Sequence, residues 1–119
     1  MLTNPTSCKW YDHDGEPVAA NASHYMVDKP HPNHPAVLVV ARRHVESPFE
    51  LKAEEWADLG EMLDQPRTWL AQHEPEDFTI GWNVGVAGGQ HVFHAHMHVI
   101  CRFAGEVPAE RGLRDFILR

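Results

Sequence analysis

A chain of 119 residues, 43% apolar and 23% charged, has the size and composition of one soluble globular domain. Its formal charge of −7 argues against a nucleic-acid polymer as partner, because polymer binding needs a field of Lys and Arg, yet it leaves room for a small phosphate ligand held by backbone N–H groups. Two cysteines exclude a disulfide framework; with no run of about 18 apolar residues and no leader-like start at Met1-Leu2-Thr3-Asn4-Pro5, neither membrane span nor signal peptide is expected, and a reduced cytoplasmic setting is.

Residues 1–22 carry no clear period and form a poorly defined N-terminal segment, with Asp12 to Pro17 reading as a turn. His24-Tyr25-Met26-Val27-Asp28 predicts a short strand. Lys29 to Pro35 holds three prolines in seven residues, which fix φ and remove donors, so it is a loop. The Val-rich run Ala36 to Ala41 predicts a strand buried on both faces. From about Leu51 to His73, Trp56, Leu59, Met62, Leu63, Trp69 and Leu70 recur at helical spacing. Their tryptophans are expected in the core, and Pro66 is expected to kink or split the helix. Phe78 to Val84 reads as a third strand, Gly85 to Gln90 as a glycine-rich loop, Val92 to Arg102 as a fourth strand, and 103–119 as a tail. The order β-β-α-β-β predicts a single α+β domain over residues 1–119, an antiparallel sheet with one main packed helix.

The chemistry points to Gln90-His91-Val92-Phe93-His94-Ala95-His96-Met97-His98-Val99-Ile100. On a strand, residues two apart share a face, so His94, His96 and His98 are expected on one side and Phe93, Ala95, Met97 and Val99 on the other. The first and third Cα atoms of such a set lie about 13 Å apart, too far for three imidazoles of one straight strand to converge on one metal ion. A His-x-His pair helped from elsewhere remains a metal-binding alternative, and a solvated polar sheet face is the plainest one. The third reading is nucleophilic catalysis at phosphorus: neutral imidazole is a competent nucleophile, and a glycine-rich loop lets backbone N–H groups approach phosphate oxygens. Asn83, at the end of its strand, offers donor and acceptor to a phosphate or sugar, or simply closes a turn. His13, His24, His31 and His34 read as exposed polar residues, and His44 as a packed or surface histidine.

The run His94-Ala95-His96-Met97-His98-Val99-Ile100 resembles the His-x-His-x-His-φ-φ signature of the histidine triad (HIT) superfamily. Asn83 and Gly88-Gly89-Gln90 resemble the stretch that precedes the triad, and Asp28 with the Val-rich strand ending in Arg42-Arg43-His44 is similar to a motif further upstream. The segment Gly105 to Arg114 looks like the tail of small bacterial members resembling dinucleoside polyphosphate hydrolases. The resemblance implies a homodimer with a purine-nucleotide site and attack at the α-phosphate. It implies His96 as the nucleophile of a nucleotidyl-histidine intermediate, His98 at the phosphate and leaving oxygen, and His94 as the holder of the network. It further implies phosphate contacts from Asn83, Gly89, Gln90 and position 91, and ribose contact from Asp28, which could otherwise begin a turn. No metal or other cofactor is required by that chemistry. Three departures stand out: His91 where Ser or Thr is usual, Cys101 where Pro is usual, and Tyr11 after Cys8 where zinc-holding members carry a second cysteine, so no zinc is expected. The reading is thus a nucleotide hydrolase or nucleotidyl transferase acting on a dinucleoside polyphosphate or a nucleoside phosphoramidate. The alternative is a non-catalytic purine-nucleotide sensor or partner-binding module. Neither involves a membrane.

Overall fold

The computed structural model describes residues 17–31, 33–106 and 112. The turn expected at 12–17 and the tail beyond 106 lie almost wholly outside them. Five strands are described: β1 (Ala19–Ala20), β2 (His24–Asp28), β3 (Ala36–Ala41), β4 (Asp77–Gly81) and β5 (His96–Arg102). They form one antiparallel sheet in the order β1-β2-β3-β5-β4. The α+β class is as expected, with β1 a two-residue addition too short to carry a periodic signal.

β3 pairs with β2 on one side and β5 on the other, and all six of its residues are buried. That is why its sequence is a continuous apolar run rather than an alternating one. Alternation sends Val37, Val39, Met97, Val99 and Cys101 to one face, where they meet Met26 and the helical residues Leu59, Met62 and Leu70 in the main core. The opposite face carries a second cluster of Tyr25, Leu38 and Val40. In the β3–β5 register His96 lies opposite Val40 and His98 opposite Leu38. These two histidines therefore occupy the face away from the helices.

The helical stretch is split into α1 (Ala53–Glu61) and α2 (Asp64–Leu70), followed by a 3₁₀ turn at Ala71–His73. Pro66 accounts for the break: it has no N–H for the carbonyl of Met62, which accepts instead from Gln65 N–H at 2.9 Å. Pro66 itself sits in the first turn of α2, where an N–H has no intrahelical partner to lose. Leu59, Met62 and Leu70 are buried as the pattern predicts, and Trp69 packs against the core. Trp56 departs from expectation. It is 44% exposed and meets Trp82 edge-to-face, with ring centroids 5.8 Å apart. Arg43 pins the segment after β3 to α1 through a two-pronged pair with the buried Glu55, Nη2 to Oε1 at 2.9 Å and Nε to Oε2 at 3.1 Å.

Candidate active site

The expected fourth strand begins four residues late. Residues 91–95 are irregular and the ladder starts at His96. The reason is a competing set of backbone bonds: Ala95 N–H donates to Val45 O at 2.7 Å, and Ala95 O accepts from Ala41 N–H at 3.1 Å. The chain therefore bends before β5, and the three histidines do not form one flat face.

His94 is wholly buried at this bend. Its Nε2–H donates to the carbonyl of Ala41. A carbonyl can only accept, so Nδ1 carries the ring's lone pair and faces Nδ1 of His44 at 3.0 Å, with His44 as the donor. Burial, offset by the Ala41 bond and reinforced by His44 and His96, lowers the pKa of His94. His94 is thus a neutral internal brace, and its backbone carbonyl accepts from Nδ1–H of His96 at 2.7 Å. That bond fixes the tautomer of His96: the neutral ring carries its lone pair on Nε2. His98 follows on the same strand face, its ring centroid 5.0 Å from that of His96. Its Nδ1 is buried and has no hydrogen-bond partner among the described residues. Burial, then the proximity of His96 and His31, pushes its pKa down to about 4. On its other side β5 pairs His98 with Gly81, so no side chain from β4 crowds the ring.

His96 and His98 line a cavity of about 400 Å³ whose wall also includes Asn83, Gly89, Gln90 and His91. The structure thus brings together seven of the eight expected site residues, six on the cavity wall and His94 behind it. The glycine loop is a tight turn closed on itself: the N–H groups of Gly88, Gly89 and Gln90 donate to Gly85 O, Val86 O and Gly85 O at 3.1, 3.0 and 3.0 Å. Gly85 and Gly89 have φ of 74° and 90°, in the left-handed region, and a Cβ on Gly88 would lie 2.2 Å from the carbonyl oxygen of Val84. Gln90 is chiefly the loop's internal support: its Oε1 accepts from Gly85 N–H at 2.8 Å, and its Nε2 donates to Glu46 O at 2.7 Å and Val92 O at 3.0 Å. Asn83 Nδ2 reaches toward Gly89 O at 3.5 Å, and His91 is exposed on the wall.

Asp28 is the residue not brought in. It is not part of that wall; its carboxylate accepts from Trp69 Nε1 at 3.1 Å and lines a separate hollow. The cause is strand parity, since Asp28 follows Met26 by two positions and shares its helix-side face. Lys29 and His31 join the cavity wall unforeseen. Their loop folds back over β5, and no spacing along the sequence signals that.

A family model for the HIT domain matches residues 21–105, most of the chain. The chain belongs to the HIT family. Solved structures agree in fold. A histidine triad nucleotide-binding protein from Sulfolobus tokodaii aligns with TM-score 0.70 and 21% identity, over 90% of this chain and 74% of that one. A HIT family hydrolase from Clostridium thermocellum aligns with TM-score 0.67 and 19% identity, over 93% of this chain and 100% of that one. A Plasmodium falciparum diadenosine triphosphate hydrolase aligns with TM-score 0.65 and 22% identity, over 76% of this chain and 63% of that one. Among the described residues of this HIT protein, no helix is long and apolar enough to cross a membrane, and no group of three or more His, Cys, Asp or Glu is placed to hold a metal ion. Cys8 and Tyr11, on which the expectation about zinc turned, lie outside the described residues.

Proposed function

We propose that this HIT protein is a nucleotide hydrolase or nucleotidyl transferase that works through a nucleotidyl-histidine intermediate on His96. The observation that carries the reading is the His96 Nδ1–H bond to the His94 carbonyl, which leaves Nε2 as the nucleophilic nitrogen of a ring on the cavity wall. In the first step Nε2 bonds to the α-phosphorus as the bond to the leaving group breaks; a phosphate chain departs as its anion, and an amine departs neutral after its nitrogen takes a proton from solvent. In the second, water adds at phosphorus, the N–P bond breaks, and the water's surplus proton is lost to solvent. A second acceptor nucleophile would give transfer instead of hydrolysis. His98, held neutral, stands beside the reacting phosphate, and Asn83 and His91 meet its oxygens, while the N–H of Gly89, expected there as well, donates to Val86 O at 3.0 Å. The substrate is a purine nucleotide bearing a phosphate-chain or amine leaving group, no metal takes part, and the buried free thiol of Cys101 suits a reduced cytoplasmic setting.

The test is a side-by-side assay of intact protein and His96→Ala on diadenosine triphosphate and adenosine 5′-phosphoramidate. The variant is expected to lose turnover by about 10³-fold or more while keeping its circular-dichroism spectrum. Acid-quenched protein incubated with α-phosphate-labelled substrate is expected to carry label, and His96→Ala to carry none. Turnover surviving in His96→Ala would overturn the mechanism. Tight nucleotide binding with neither turnover nor label would identify a sensor.

A further inference from the structure

The fold gives one loop histidine a setting its sequence context does not suggest. His31 follows Lys29-Pro30 in the β2–β3 loop. Its ring lies over His98 with centroids 5.8 Å apart, and it lines the same cavity. His96, His98 and His31 thus form a row of rings, spaced 5.0 and 5.8 Å, in which the third comes from a different part of the chain.

The loop is held in that position. His31 N–H donates to His34 O at 2.9 Å, and His34 N–H to His31 O at 3.2 Å. The ring of His34 pairs with Glu106, which also accepts from Arg102 Nε at 2.6 Å and from Phe103 N–H at 2.8 Å. Arg102 belongs to β5, the strand that carries His98, and its Nη1 donates to Thr79 Oγ1 of β4 at 3.0 Å. The tether therefore references His31 to the triad strand itself.

Among the described residues the cavity wall carries Lys29 and the hydrogen-bonding rings of His31, His91, His96 and His98 and no carboxylate, although the chain as a whole is acidic. Anionic oxygens beyond the α-phosphate would meet the donors of His31 and Lys29, which line the cavity beyond His98. His31 also borders a second, separate hollow of about 320 Å³, whose wall includes the Asp28 carboxylate that accepts from Trp69.

We propose that His31 is a substrate-contacting specificity residue that selects nucleotides carrying an ionised phosphate on the leaving side of the α-phosphorus. The inference rests on the reading of this cavity as a nucleotide site and narrows its substrate class from any leaving group to a phosphate chain. An imidazole N–H on a phosphate oxygen is a charge-assisted hydrogen bond, and its loss reads as about a tenfold change in affinity.

The test is calorimetric binding of AMP and GMP, and of the uncleavable α,β-methylene forms of ADP and GDP, to the full chain and to His31→Ala and His31→Lys. The intact protein is expected to prefer the diphosphates. His31→Ala is expected to lose about tenfold of that preference with monophosphate affinity nearly unchanged, and His31→Lys to recover most of it. Equal weakening of mono- and diphosphates in His31→Ala, or an unchanged preference, would overturn the inference. Diphosphate preference that follows His31, without label on His96, would leave the inference standing and the catalytic reading overturned. Failure of the intact protein to bind any of the four would overturn both.

Discussion

Three histidines, His24, His94 and His98, have their pKa lowered, and in each the largest cause is burial. In the unfolded chain such groups titrate near 6.5. Below that pH the unfolded state takes up protons that the folded state refuses, so their contribution to stability is complete above 6.5 and is lost as pH falls toward about 4, where His98 protonates in the fold. The melting temperature is expected to fall between pH 7 and pH 4.5, and His98→Asn to flatten part of that slope. A pH-independent melting temperature in this window would contradict the assignment. Glu55 and Glu106 act in a lower window: Arg43 lowers the first, and Arg102 with His34 holds the second down to about 2, so their contribution is complete above their ordinary 4.5 and fails only in stronger acid. At this scale the sequence picked out the three histidines, and the family resemblance implied a separate role for each, but neither indicated what holds each ring. Their different roles come from backbone carbonyls, of Ala41 for His94 and of His94 for His96, and carbonyls carry no residue-specific signal.

The glycine loop is the element on which the cavity depends most. Gly88→Ala would drive a Cβ into the Val84 carbonyl, and the main chain must shift to relieve it. Gln90→Ala would strip partners from Gly85 N–H and from the Glu46 and Val92 carbonyls at a buried position. Such losses cost about 1–3 kcal/mol where the orphaned groups stay dry. Both variants are expected to fold with lowered denaturant midpoints and to bind nucleotide more weakly, which urea titration and calorimetry would measure; unchanged values for both would remove the loop from the site. Elements with strong internal pattern were legible: β3 from its Val run, the helical stretch from its apolar recurrence, and its division from Pro66. The start of β5 was not, because Ala95 bonds to Ala41 and Val45, residues some fifty positions earlier, instead of extending its own ladder.

At the scale of the whole molecule, β4 is an edge strand with no described neighbour on its outer side. Ile80 on that strand and Trp56 beside Trp82 are each 44% exposed, an unusual surface setting for such large apolar side chains. We propose this edge as the contact of the expected homodimer, where a second β4 would continue the sheet. Trp56→Glu is expected to shift the protein from dimer to monomer in sedimentation velocity. A protein that is monomeric before the change would overturn the expected homodimer, and a dimer indifferent to it would place the contact elsewhere.

By itself the sequence determined the α+β class, the buried central strand, the divided helix and the histidine-bearing segment with its glycine loop. These features are local: they follow from the period of apolar residues, the missing N–H of proline and the conformational range of glycine. Only the tertiary structure decided that His94 braces the site through the Ala41 carbonyl and the His44 ring, that Asp28 points to the helix side, and that His31 stands beside His98. Each of these depends on which distant backbone or ring lies next to the residue, and chain folding sets that adjacency while residue spacing does not.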